Sequence, residues 1–146
     1  MSDFDPSKFN WVNPDYKGVF EFRLEALSRL RKNPDSLSKL MQYYSTHWAD
    51  FINDWGMTFD PREPKDKYFP FILFPRQVEF VNWVYDSYIN SRRGLGEKSR
   101  DVGFTWLCAA CAVCVWLFYP SSVVGFGSRK KELVDNGDHD PDSIFW

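Results

Sequence analysis

The residues best equipped for chemistry lie in one stretch, Glu97-Lys98-Ser99-Arg100-Asp101-Val102-Gly103-Phe104-Thr105-Trp106. It runs into a long apolar segment. A phosphate-binding loop needs backbone N–H groups at a helix N-terminus to cradle an anion. It also needs a glycine for close approach, a cation on the phosphates and a hydroxyl for Mg²⁺. The usual spacing is G-x-x-x-x-G-K-[ST]. Here Gly103 and Thr105 hold the second glycine and hydroxyl positions. Phe104 stands where the lysine would be, and Lys98 stands at the first glycine. The cation is thus displaced to the front of the loop, with Arg100 as a second one. K-x-x-x-x-G-x-T arises often by chance. The competing reading is a solvated charged turn in which Thr105 caps the next helix.

A second feature precedes the loop. Phe74-Pro75-Arg76-Gln77 opens an amphipathic helix. A glutamine there can pair with the N6 amine and N7 of adenine together, a geometry that favours adenine over guanine. The alternative is an exposed Gln77 at a helix start. Cys108, Cys111 and Cys114 are the three cysteines. Their spacing invites a metal, but no fourth Cys and no His stands nearby, and a tetrahedral site needs four ligands. At i, i+3 and i+6 of a helix they read as a buried stripe of small hydrophobes.

The elements that must position these residues follow from periodicity and breakers. Apolar residues from Gly18 to Asn33 keep helical spacing, basic residues collect at the C-terminal end, and Pro34 stops the run. Asp35 or Ser36 can cap a second helix carrying Leu37, Leu40, Met41 and Tyr44. A third, with Trp48, Phe51, Ile52 and Trp55, can end at Gly56. Pro61 and Pro64, set among charges between Asp60 and Lys67, mark a boundary, giving regions 1–66 and 67–146. Tyr68 to Pro75 is extended. Arg76 to Arg92 is an amphipathic helix, and Phe104 to Tyr119 is an apolar one ended by Pro120. Segments 94–97 and 122–126 read as parallel strands joined by that helix in a right-handed crossover. Residues 1–15 read as an irregular arm.

Composition sets outer limits. Of 146 residues, 44% are hydrophobic and 26% charged, which excludes a disordered polar chain. Eighteen basic and twenty acidic residues leave a net charge of -2, so any nucleic-acid contact must be local. The run Gly103 to Ser128 lacks charge, but Pro120-Ser121-Ser122 cuts it below the length of a membrane span. The N-terminus shows no targeting pattern, so an intracellular soluble protein is expected.

With those residues in place, the chain resembles the large terminase subunit of tailed bacteriophages from about Asp15 to Phe145. The resemblance is carried by the segment from Phe51 to Arg62, which includes Asn53-Asp54-Trp55-Gly56. Phe74-Pro75-Arg76-Gln77, the Glu97–Trp106 loop and Val124-Gly125-Phe126-Gly127-Ser128-Arg129-Lys130 complete it. The family is an ATP-driven DNA-packaging motor with a C-terminal nuclease domain. Its phosphate loop is a deviant Walker A motif, often with the cation at the front. The resemblance implies an α/β fold: a helical N-terminal region, residues 1–66, and an incomplete P-loop NTPase core with a parallel sheet, residues 67–146. It implies ATP and Mg²⁺ as cofactors, bound by Gln77, Lys98, Ser99, Arg100, Asp101, Val102, Gly103, Phe104, Thr105 and Arg129. Lys98 and Arg100 would hold the β- and γ-phosphates, Thr105 would ligate Mg²⁺, and Gln77 would read adenine. The implied partners are a small terminase subunit, a portal protein and double-stranded DNA. The implied setting is the bacterial host cytoplasm, at the site of virion assembly, with no membrane.

The departure from the family lies after the loop. No apolar strand ending in Asp-Glu follows Thr105, and no nuclease acid cluster is present. The chain is therefore expected to be a truncated front end that is inactive as an ATPase by itself. The alternative is a non-catalytic prophage remnant, an interaction module for the small terminase subunit or portal.

Overall fold

The computed structural model describes residues 4–60, 67–99 and 102–127. The chain divides into two compact units, Met1–Val102 and Gly103–Trp146. In the first, helix α1 spans Tyr16–Lys32. The Asp15 carboxylate accepts the Gly18 N–H at 2.9 Å and so caps it, while Arg29, Arg31 and Lys32 fill the last turn. Helix α2 spans Asp35–Tyr44. Its N-cap is Pro34, with no side-chain cap; Ser36 turns its hydroxyl back to the Asn33 carbonyl instead of capping. Helix α3, Trp48–Trp55, stops at Gly56. The glycine there is extended (φ -63, ψ 144), not left-handed. It is needed for space, because a Cβ would lie 2.5 Å from the Ile52 carbonyl oxygen.

Strands β1, Met57–Phe59, and β2, Tyr68–Pro70, pair antiparallel, with Thr58 opposite Phe69. Asp60 N–H closes on the Lys67 carbonyl at 2.9 Å. The chain then runs extended to α4, Pro75–Ile89, which starts with Pro75 at a position where a missing N–H costs nothing. Trp48, Ile52, Leu73, Val19 and Val81 are the most deeply buried apolar side chains of this unit. The Trp48 ring meets Tyr85 edge-on at 5.3 Å and Tyr88 at 5.8 Å, joining α3 to α4.

The N-terminal arm is built into this core. It holds a short 3₁₀ turn, Pro6–Lys8, and Phe9 is buried with Val19 and Ile72. The Trp11 indole donates to the Ile72 carbonyl at 3.3 Å and stacks on Phe74 at 5.0 Å.

The expected α/β architecture is corrected here. Of the described residues, 59% are helical, and the sheet is the antiparallel β1–β2 pair; neither 94–97 nor 122–126 is a strand. A parallel sheet is stable only when several strands share it and both faces are covered. Leu95 is 98% exposed and Val123 94%, so pairing these segments would order backbone without burying their apolar side chains. The two glycines of 94–97 serve another contact. A Cβ on Gly94 would lie 2.3 Å from the Trp83 ring, and one on Gly96 would lie 3.8 Å from Phe80. The segment lies along α4 instead of joining a sheet.

In the second unit, α5 spans Phe104–Phe118 and ends before Pro120, as the pattern predicts. Leu107, Cys111, Cys114 and Val115 are buried, whereas Trp106, Val113 and Trp116 are exposed. No helix among the described residues is long and apolar enough to cross a membrane.

Candidate functional site

Helix α4 positions the front of the loop through one stripe of side chains. Trp83, Phe80 and Gln77 are spaced at i, i+3 and i+6, so they share a face. Trp83 receives Gly94 and Phe80 receives Gly96. Gln77 Nε2 donates to the Val102 carbonyl at 3.1 Å. The chain therefore returns antiparallel along α4 and reaches its first turn at Val102, the residue bonded to Gly103. Lys98 and Ser99 lie in irregular backbone and are exposed.

In the second unit, Gly103 is the N-cap of α5 and adopts φ 70, ψ 22. That left-handed conformation favours glycine. The first helical bond runs from Leu107 N–H to the Gly103 carbonyl at 3.0 Å. The N–H groups of the first turn lie ahead of it, and no acidic residue occupies that turn. This chemistry suits an anion. Thr105 sits two residues past the cap with its side chain exposed, so it does not cap the helix.

The expected strand before the loop is replaced by irregular backbone. Arg100, Asp101, Ser128 and Arg129 lie outside the described residues. Phe104 is the first residue of α5. Gln77 bonds to backbone. Its Oε1 accepts the Phe74 N–H at 3.0 Å while its Nε2 holds Val102, so both ends of the amide position backbone. In the second unit, the left-handed Gly103, a helix start without acids and the Thr105 hydroxyl are groups that suit a phosphate; Lys98, in the first unit, is an exposed cation. For Mg²⁺ they offer the Thr105 hydroxyl. Among the described residues, no group of three His, Cys, Asp or Glu is arranged for a metal.

Cys111 and Cys114 are packed as core residues, and Cys108 is half-buried. Burial pushes the Cys111 thiol up to about 12 and raises Cys108 and Cys114 as well, so none is a ready thiolate.

Sequence reasoning missed the network that locks the Asn53-Asp54-Trp55-Gly56 motif. Asn53 is 4% exposed, and its Oδ1 accepts the Leu73 N–H at 2.7 Å. The Tyr44 hydroxyl donates to Asp54 at 2.6 Å and accepts from the Trp55 indole at 3.0 Å. Arg23 is 6% exposed and donates from Nη2 to the carbonyls of Asn53 and Gly56 at 3.0 and 2.9 Å. The available signal was spacing: Arg23 lies one helical turn after Val19 and therefore on the buried face.

Asp54 gives this network a pH dependence. Burial raises its pKa above the ordinary 3.8, against the opposing Tyr44 bond and the charge of Arg23. The folded state then holds the proton more tightly than the unfolded chain. The contribution is complete below pH 3.8 and is lost as pH rises through the higher folded value. Asp54→Asn keeps an acceptor for Tyr44 without the buried charge. It is expected to melt above wild type at pH 7 and to show a flatter stability profile above pH 3.8. Melting curves across pH check this; a lower midpoint for the variant at pH 7 would contradict it.

No protein-family model matches the chain, no curated protein matches it, and no solved structure matches it.

Proposed function

We propose that this chain binds a nucleoside triphosphate by its phosphates at the 98–105 loop, as a DNA-packaging protein resembling large terminase subunits. The observation that carries this reading is the Gln77–Val102 hydrogen bond. It ties the Phe74-Pro75-Arg76-Gln77 element to the end of the loop, at the residue preceding the left-handed Gly103. Two motifs separated in sequence thus meet, and Gln77 is a positioning residue for the loop. Lys98 and Thr105 supply the charge and hydroxyl that phosphates and Mg²⁺ require. The resemblance extends the proposal to a small terminase subunit, a portal protein and double-stranded DNA as partners in a bacterial cytoplasm.

Hydrolysis asks for more than these groups. Phosphoryl transfer needs Mg²⁺ held from two sides and a group that orients water. Thr105 offers one side, and no Asp-Glu pair closes an apolar strand in the sequence.

The helical architecture favours a second reading, a non-enzymatic interaction module. Nucleotide-dependent thermal stabilisation separates the two. Mg·ATP is expected to raise the melting midpoint of the protein. Lys98→Ala should weaken binding about ten-fold at low salt, with the gap narrowing as salt screens this exposed charge. Thr105→Ala should weaken the Mg·ATP complex, while Cys111→Ala binds as wild type. Equal binding by all three variants removes the phosphate-loop assignment and leaves the interaction module.

A further inference from the structure

Beyond the loop, a cleft of about 400 Å³ opens between the N-terminal arm, α3 and the first turn of α4. Trp11, Leu73, Pro75 and Val78 give it apolar walls, and Asp50 and Asn53 bring polar groups into it. Asp50 and Asn53 stand at i and i+3 of α3, so they share a face. Each has unused hydrogen-bonding capacity among the described residues. Asn53 is 96% buried (4% exposed), and its amide orientation is set because Oδ1 accepts the Leu73 N–H; its Nδ2 donates to nothing. Asp50 accepts from the Tyr43 hydroxyl at Oδ2, and its Oδ1 accepts nothing. Arg23 Nε is the sealed side-chain nitrogen without a partner among the described residues, so Asn53 Nδ2 keeps access to solvent, and Asn53 lines a space large enough for a ligand.

We propose that this cleft binds an amino-substituted nitrogen heterocycle of the adenine type, as a free nucleoside. Such a base presents a ring-nitrogen acceptor beside an exocyclic amine donor. The ring nitrogen takes the Asn53 Nδ2 donor, and the amine donates to Asp50 Oδ1. The flat ring lies among Trp11, Pro75 and Val78. The electrostatics select against phosphate. Asp5 and Asp50 both line the cleft, and no basic side chain does. Lys8, which pairs with Asp5 at 3.0 Å, stands outside the lining. The site is also separate from Gln77. Pro75 and Val78 lie about 60° apart around the first turn of α4, and Gln77 is about 160° from Pro75 and about 100° from Val78.

The inference does not depend on the phosphate loop, and the test uses a ligand without phosphate. Adenosine at millimolar concentration is added to the ¹⁵N-labelled chain. The expected result is saturable shifts of the Asn53 side-chain amide and the Trp11 indole N–H, unaffected by inorganic tripolyphosphate. Asp50→Ala should weaken adenosine at least about ten-fold, from loss of a hydrogen bond to a charged group. Val78→Phe, which fills the cleft without removing a polar group, should abolish binding while circular dichroism stays unchanged. The absence of shifts in the wild-type chain overturns the proposal. So does competition by tripolyphosphate, which would place adenosine at the loop. A single-stranded oligo(dA) that binds more tightly than adenosine would assign the cleft to nucleic acid and overturn the nucleoside assignment.

Discussion

Trp48→Ala is expected to destabilise the fold by about 3–5 kcal/mol, the range for truncating a buried aromatic residue to alanine. The side chain is 1% exposed, and its indole N–H donates to the Ser45 carbonyl at 3.2 Å. Its ring is the main wedge between α3 and α4, set against Tyr85 and Tyr88. Neighbours of that size cannot close over the void without moving a helix, so the cavity term remains. A domain of this kind has roughly 5–15 kcal/mol in total, so the variant loses a large share of it. Urea unfolding gives the measurement, with Leu95→Ala as the exposed control expected within about 0.5 kcal/mol of wild type. A Trp48→Ala midpoint matching that control would mean that the α3–α4 contact is not formed in solution.

The second large effect is expected at Arg23. Removing its guanidinium by Arg23→Ala takes a donor from the Asn53 and Gly56 carbonyls; Gly56 keeps the Phe71 N–H at 2.8 Å, so the cost of an unsatisfied group, about 1–3 kcal/mol, falls on Asn53. The expected loss is about 3 kcal/mol. Arg23→Met loses the same bonds but fills the volume and removes a desolvated charge, so it should be the milder change. The strain on that charge is visible in the arginine itself. Burial pulls its pKa down to about 10, with Asp54 opposing the shift, and its Nε has no hydrogen-bond partner. Thermal unfolding should rank the proteins wild type, Arg23→Met, Arg23→Ala. An Arg23→Met protein that melts at or above wild type would show that the fork to Asn53 and Gly56 adds nothing.

The helices were legible because local signals agree with one another. Pro34 separates α1 from α2, Gly56 ends α3, and Pro75 and Pro120 punctuate α4 and α5. The sheet was misread because strand formation depends on a partner, and the partner is not encoded in the strand. Gly94-Leu95-Gly96-Glu97 has the look of a short buried strand, yet its glycines answer to Trp83 and Phe80 on α4. Of the loop, the helix start was legible. A glycine followed by a hydroxyl at a helix start is a local pattern, and Gly103 and Thr105 stand at the start of α5. The contacts of Gln77 were not legible, because its partners are backbone groups that any residue could supply. Asn53 and Arg23 were out of reach for the same reason.

The bond from Trp11 to Ile72 crosses 61 positions, and this bears on the order in which the first unit assembles. Its acceptor lies beside Leu73, whose N–H is held by Asn53, so the extended stretch must settle on α3 before the arm has a surface to meet. Closure over such a distance costs entropy before any contact repays it. The arm therefore docks late in folding. By the same balance it is the first segment to lift away, through a local opening smaller than global unfolding. Each opening uncovers Phe9, Val19 and Ile72 together. An affinity tag placed ahead of Phe4, or a protease cut near Asn13, thus acts on the core of the unit and not on a dispensable end.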